Sequence, residues 1–164
     1  MADAAPERRF SSISEFWPHY LGEHRVAADR AMHFLGTGWM FCCTAAALVL
    51  APERMIPALG GMALVGWLAS SRIERRRPAF GAMLLMYGFA LVGHPILMTM
   101  GIAGAYFLAW CGHFGIEHNK PAAFRYPVWS FLCDFRMSAM MAAGRLWSGD
   151  PVADPRYTTV NSAA

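Results

Sequence analysis

Histidines stand on both sides of the most hydrophobic part of the sequence. His19, His24 and His33 precede that part, and His113 and His118 follow it. If the intervening stretches cross a bilayer an even number of times, both groups of histidines reach the same membrane face. Histidine is the commonest metal-ligating side chain. The sequence therefore predicts a metal site at that face.

The segment around His113 holds the strongest candidates for chemistry. His113 and Glu117 are four residues apart, so on an α-helix both project from one face. There the two side chains can ligate a divalent metal, or the carboxylate can orient a metal ligand. His118 lies about 140° round the helix from His113, so it is a ligand only if the helix ends at Glu117. The alternative is that His113 bonds a carbonyl and Glu117 pairs with Lys120 or an arginine.

His24 and His33 form the second candidate pair. They are nine residues apart, and at about 100° per residue they would point to opposite faces of one straight helix. They converge only if the chain turns between them. Asp29 is predicted to be the N-cap of a helix that carries His33 in its first turn. The alternative is that each histidine is an ordinary interface residue.

The other two histidines are weaker candidates. His19 adjoins Pro18 in an aromatic run, and we rank it low as a ligand. His94 lies well inside a hydrophobic stretch, about 20 Å from the basic edge at about 1.5 Å per residue. We expect His94 to serve helix packing or a break at Pro95.

The elements that must position these residues are hydrophobic helices. The chain is 56% hydrophobic and 15% charged, against about 45–50% and about 25% in soluble domains. We predict an all-α integral membrane protein with four spanning helices, arranged as two hairpins with interfacial amphipathic helices. A soluble bundle of unusually apolar helices is the alternative. The predicted spans are residues 36–51, 55–71, 79–97 and 99–114.

The basic residues indicate the orientation of these spans. Every Lys and Arg except Arg54 falls in segments that the four spans place on one side. The positive-inside rule assigns that side, and both termini, to the cytoplasm. The net charge of +3 is modest and no aromatic-interleaved basic stripe occurs, which argues against nucleic-acid binding. The Ala/Arg-rich composition predicts the bacterial inner membrane.

One membrane domain, residues 15–147, is expected between two polar ends. Residues 1–14 are predicted to be flexible and lack the features of a signal peptide. Residues 128–147 are predicted to form an amphipathic helix at the membrane surface, and residues 148–164 a polar tail. The four cysteines have no CxxC spacing and are expected to be structural.

Two sequence blocks resemble the signature of the 2-hydroxy fatty acid dioxygenase family of small membrane proteins. They are Tyr20-x3-His24-x8-His33 and Gly112-His113-x3-Glu117-x-Asn119-x-Pro121-Ala122. Two further runs resemble bacterial members: Phe16-Trp17-Pro18 and Tyr126-Pro127-x-Trp129-Ser130-x3-Asp134-Phe135-Arg136-Met137. The resemblance covers most of residues 15–147. The family commonly has Asn at position 29 and an aromatic residue at position 19, where this chain has Asp and His.

The resemblance implies an Fe(II)-dependent dioxygenase that converts a 2-hydroxy fatty acid and O2 to the fatty acid one carbon shorter. The implied metal ligands are His24, His33, His113 and His118, and Glu117 is the implied catalytic residue. Substrate binding is expected at Tyr20, Asn119, Lys120 and Arg125. An amphiphilic substrate suits a site at the membrane face, because its tail lies in the bilayer and its carboxylate at the interface.

Two other functions compete with the dioxygenase. One is a membrane haem protein with two histidines as axial ligands. The other is a non-catalytic membrane scaffold or lipid-binding protein, whose histidines bind no metal. The expected partners are the lipid bilayer, the 2-hydroxy fatty acid and O2, with homo-oligomers permitted and nucleic acid excluded.

Overall fold

A computed structural model describes residues 10–72, 76–121, 123 and 126–158. All the regular secondary structure in these residues is helical, which confirms the all-α prediction for this part of the chain. The helices are α1 (Ile13–Gly22), α2 (Ala27–Leu50), α3 (Pro52–Arg72), α4 (Arg76–Gly93), α5 (Pro95–Trp110), a π-helical segment (Cys111–Glu117), α6 (Pro127–Ala142) and α7 (Pro155–Thr158).

Proline and histidine define the two tight connections between the long helices. Pro52 opens α3 directly after Ala51, where its missing N–H and fixed φ are tolerated. Pro95 opens α5, and His94 caps that helix by accepting the Leu97 N–H on Nδ1 at 3.4 Å. The predicted span 79–97 is therefore two helices, with the break at Pro95.

The long helices pack as two pairs, α2 with α5 and α3 with α4. The sequence grouped α2 with α3 and α4 with α5 as hairpins, but those pairs share less contact. Small residues allow the close approach of α2 and α5. A Cβ on Gly36 would lie 3.1 Å from the Ala105 carbonyl oxygen, and one on Gly101 would lie 3.0 Å from Cys43.

Two helix boundaries differ from the predictions in ways that matter for the site. Helix α2 begins at Ala27, with Val26 in the N-cap position. Asp29 therefore lies inside the first turn, and its predicted N-cap role is wrong. Helix α6 ends at Ala142, because residues beyond it leave the helix through Gly144, which has a φ of +77°.

Two helices among the described residues are long and apolar enough to cross a membrane, Ala27–Leu50 and Pro95–Glu117, where the sequence predicted four spans. Pro78–Gly93 is apolar but shorter. Large apolar side chains point outward from these helices: Val49 is 80% exposed, Leu84 70% and Ile96 67%. Such exposed apolar surface indicates association with a membrane.

Helices α1 and α6 share a core rich in aromatic and methionine side chains. Its members include Phe16, Trp17, Trp129 and Met137. Leu146 enters the same core from beyond α6, and the Trp17 indole donates a hydrogen bond to the Tyr157 carbonyl at 2.9 Å. Tyr157, in the region predicted as a polar tail, thus packs against this core, and the core fixes α1 relative to α6.

The α2–α5 contact can be tested with two glycines of the same helix. Gly36→Leu should lower the free energy of unfolding by about 1–3 kcal/mol, the usual cost of overpacking. Gly38→Leu should leave it unchanged or raise it, because a Cβ at Gly38 meets nothing within 4 Å. Thermal unfolding in detergent measures both, and equal effects would contradict the described packing.

Candidate metal centre

Three buried histidine rings meet at one end of the α2–α5 pair. His24 comes from the link between α1 and α2, His33 from the second turn of α2, and His113 from the π-helical segment. Their ring centroids are 4.5, 4.7 and 5.0 Å apart. The chain turns between Gly22 and Ala27, as the spacing of His24 and His33 requires.

Each of the three histidines has a hydrogen-bond acceptor at Nδ1. The acceptors are the Tyr20 carbonyl for His24 at 2.6 Å, the Asp134 carboxylate for His33 at 2.7 Å, and the Asn119 side-chain oxygen for His113 at 2.8 Å. A neutral imidazole carries one N–H, so these acceptors assign the proton to Nδ1 and leave a lone pair on Nε2. The rings are thus prepared to bind a metal through Nε2.

Asp29 completes the cluster. Its side chain is completely buried, and neither carboxylate oxygen has a hydrogen-bond partner among the described residues. One ligand atom from each of His24, Asp29, His33 and His113 lies within 4.8 Å of the others. A buried carboxylate without hydrogen bonds is costly unless a cation or proton compensates it.

This set of donors fits a divalent transition metal. Three imidazoles with one carboxylate are typical of Fe(II) and Zn(II) sites. The buried Nε2 atoms of His24 and His33 have no other partner in the described part of the chain, so a bound ion would satisfy them together with Asp29. The four residues could therefore hold one metal ion.

Glycine at position 112 makes room for Asp29. A Cβ on Gly112 would collide with the Asp29 Oδ1 atom. Sequence reasoning missed Asp29 because it placed the helix start too late. Once α2 begins at Ala27, Asp29 and His33 are four residues apart on one helix face, and the Asp29 carboxylate lies 3.7 Å from His33 Nε2.

Glu117 and His118, which the sequence grouped with His113, lie outside the cluster at the end of the π-helical segment. Its wider turns are frequent at functional sites. Glu117 turns away from the cluster and accepts a hydrogen bond from the Val26 N–H. His118 ends the segment in the left-handed conformation, with a φ of 54°. Its exposed ring donates from Nδ1 to the Phe114 carbonyl at 3.1 Å, outside the cluster.

Tyr20 and Asn119, predicted to bind substrate, contact the histidines directly. The Tyr20 ring stacks on His24 with a centroid distance of 4.1 Å, and its hydroxyl donates to Asp134. Asn119 donates to the Glu23 carbonyl at 2.7 Å, which turns its side-chain oxygen toward His113. Lys120 is exposed on the same loop, and Arg125 lies outside the described residues. The substrate and catalytic roles of these residues stay predictions.

Asp134 is a site residue that sequence reasoning missed. Its Oδ1 atom accepts from both the Tyr20 hydroxyl and His33 Nδ1. It lies 101 residues from His33 in the sequence, so periodicity could not join the two. Its place in the run that resembles bacterial family members was the one available indication.

Burial sets the protonation of His24, within the cluster, and of Tyr20, which stacks on it. It lowers the pKa of His24 well below the usual value, and neighbouring His33 and His113 lower it further. Burial raises the pKa of Tyr20, as does the adjacent Asp134 carboxylate. At neutral pH His24 is therefore uncharged and able to bind a metal, while Tyr20 keeps the proton that it donates to Asp134.

Comparison with known families identifies the chain. The family model described as 2-hydroxy-palmitic acid dioxygenase Mpo1-like matches residues 10–97 and 88–146. The chain belongs to this family. Searches of curated proteins and of solved structures found no match. Membership confirms the resemblance seen in the sequence, and the four cluster residues of this Mpo1-like chain lie within the matched region.

Two histidines of this Mpo1-like chain give a matched test of the centre. His113→Ala removes a cluster ligand, so the purified protein should lose its metal. His118→Ala removes an exposed ring outside the cluster and should keep it. Mass spectrometry of the metal content of detergent-purified protein measures both. Metal loss in His118→Ala with retention in His113→Ala would contradict the described cluster.

Proposed function

We propose that the chain is an Fe(II)-dependent dioxygenase that converts a 2-hydroxy fatty acid and O2 to the fatty acid one carbon shorter. The observation that carries this proposal is the buried cluster of His24, His33, His113 and Asp29. The family description, which names a 2-hydroxy-palmitic acid dioxygenase, supports the substrate class. A facial set of histidines and a carboxylate is the usual iron site of non-haem oxygenases.

The proposed reaction balances without a further reductant. A 2-hydroxy acid and O2 yield the shortened carboxylic acid, CO2 and water: the bond between C1 and C2 breaks, and C2 becomes the new carboxyl carbon. The substrate loses four electrons and O2 gains four. Iron held by His24, His33, His113 and Asp29 would supply this redox chemistry, whereas zinc has no redox chemistry.

The protein's own residues hold and orient the reacting groups. The rings of His24, His33 and His113 converge, and each is fixed by a hydrogen bond at Nδ1. Asp29 adds one negative charge, which favours binding of a cation. Tyr20 and Asn119 already use their polar atoms on the cluster, so we assign them to positioning it. We therefore assign the attraction of the substrate carboxylate to Lys120, which is exposed beside Asn119. Arg125 is a second candidate.

The position of the cluster suits an amphiphilic substrate. From His33 to Leu50, α2 runs about 26 Å at about 1.5 Å per residue, close to the roughly 30 Å hydrocarbon thickness of a bilayer. A bilayer that covers this part of α2 would leave the cluster at the headgroup boundary. The acyl tail would lie beside the exposed apolar side chains. We propose the bacterial inner membrane, with the site and both termini on the cytoplasmic side.

The geometry disfavours a haem protein. Two axial histidines stand on opposite faces of a macrocycle, whereas these three rings converge with centroids 4.5–5.0 Å apart. A non-catalytic lipid-binding protein would not need three buried imidazoles clustered with a buried carboxylate. The experiment below separates both alternatives from the proposal.

Activity is tested with protein loaded anaerobically with Fe(II) in detergent. With 2-hydroxy-palmitic acid and ¹⁸O2, wild type should release the acid one carbon shorter with one labelled oxygen, and its spectrum should lack a Soret band. His33→Ala should reduce turnover by at least about 10³-fold, because a ligand is lost, while His118→Ala should stay active. Wild type that holds one iron per chain but yields no shortened acid would contradict the proposed activity.

A further inference from the structure

Arg30 is a completely buried cation bonded only to backbone carbonyls. Its Nε donates to the Leu146 carbonyl at 2.7 Å. Its Nη1 donates to the carbonyls of His24 at 3.0 Å and Arg25 at 2.7 Å. Its Nη2 donates to the carbonyls of Ser148 at 3.4 Å and Gly149 at 2.9 Å. A guanidinium has five N–H donors, and all five are used.

Only arginine can fill this position. Its five donors lie in a rigid planar fork, whereas lysine offers three donors on a compact ammonium group. A lysine would leave at least two buried carbonyls unpaired, which costs the desolvation energy of each. No described carboxylate accepts a hydrogen bond from Arg30, and the adjacent Asp29 carboxylate points into the metal cluster. Arg30 therefore serves to join two backbone segments.

The first of these segments carries His24. The carbonyls of three successive residues there accept from side chains: Glu23 from Asn119, and His24 and Arg25 from Arg30. The next residue, Val26, donates its N–H to Glu117. These contacts replace the helical hydrogen bonds that the link between α1 and α2 lacks. Arg30 supplies two of them.

The second segment is residues 146–149, here named the C-terminal strap. Leu146 and Gly149 have left-handed backbones, with φ of 62° and 70°, and their carbonyls face Arg30. The Leu146 side chain is buried in the α1–α6 core. The strap is thus anchored on one side in that core and on the other to Arg30. Its last three residues lie beyond the family match, which ends at 146.

We propose that Arg30 is a positioning residue of the metal centre, which fastens the C-terminal strap to the His24 loop and thereby fixes the His24 ring. Without this link, His24 keeps its Tyr20 contact and the neighbouring bonds of Glu23 and Val26 remain, but the carbonyls of His24 and Arg25 lose their donors. The inference rests on the proposed function only in that His24 is a metal ligand. It gives a role to the part of the chain after α6 that the sequence left without one.

The first test replaces Arg30 in the full chain. Co(II) serves as the probe, because its visible absorption reports both its affinity and its ligand geometry. Arg30→Lys should raise the Co(II) Kd by about 10-fold or more, the usual cost of losing a supporting contact, and should change the absorption bands. Arg54→Lys is the control: that exposed side chain lies beside Glu53 in the first turn of α3, at the other end of α2 from His33, so the change should alter neither quantity.

A second pair of variants changes glycines in and near the C-terminal strap. It tests the same link even if Arg30→Lys fails to fold. Gly149 and Gly144 both have positive φ, +70° and +77°, and a Cβ at either meets nothing within 4 Å. Alanine imposes the same backbone strain at both positions. Of these two glycines, only Gly149 has a carbonyl bonded to Arg30. Gly149→Ala should therefore weaken Co(II) binding, and Gly144→Ala should not.

The outcomes separate this inference from the proposed function. Wild type that binds no Co(II) would overturn the metal centre and the positioning role together. Wild type that binds Co(II), with Gly149→Ala and Gly144→Ala equal to each other in Kd and spectrum, would overturn the positioning role alone. An Arg30→Lys protein that folds and binds Co(II) as wild type does would also overturn it.

Discussion

An imidazole can bind a metal only through a nitrogen that carries no proton, and the rest of this structure depends on that requirement. Each of the three histidines needs an acceptor that keeps its proton on Nδ1. The acceptors come from α1, from α6 and from the loop after the π-helical segment. The aromatic core joins α1 to α6, and the π-helical segment brings Asn119 back to His113. Both therefore hold these acceptors in place around the cluster.

The cluster also explains why a polar site can be buried at the end of apolar helices. A carboxylate and three imidazoles removed from water are costly individually. Hydrogen bonds from neighbouring residues hold the cluster in place, such as the chain from Tyr20 to Asp134 to His33. Within the cluster, buried atoms of His24, His33 and Asp29 have no hydrogen-bond partner among the described residues. A bound cation would compensate the cost of burying these groups and thereby stabilise the folded protein.

The sequence allowed part of this to be predicted. Periodicity required a turn between His24 and His33, and hydrophobic stretches brought His113 to the same end, so three residues of the cluster could be found. Asp29 was misassigned because the helix starts three residues earlier than predicted, with Val26 instead of Asp29 as N-cap, which changes a cap into a buried helix position. Glu117 and His118 lie outside the cluster because Glu117 accepts from the Val26 N–H and His118 leaves the helix in the left-handed conformation. Arg30 was not identified, since its acceptors are backbone carbonyls. Every residue has one, so the sequence does not show which of them Arg30 contacts.

X-ray absorption spectroscopy of the anaerobically Fe(II)-loaded protein, with Asp29→Asn in parallel, tests the central claim most directly. The account predicts one iron per chain, the multiple scattering of three imidazoles, and oxygen ligation that changes in Asp29→Asn. An iron site with fewer than three imidazoles, or with sulfur ligands from the cysteines, would contradict the cluster as the metal centre.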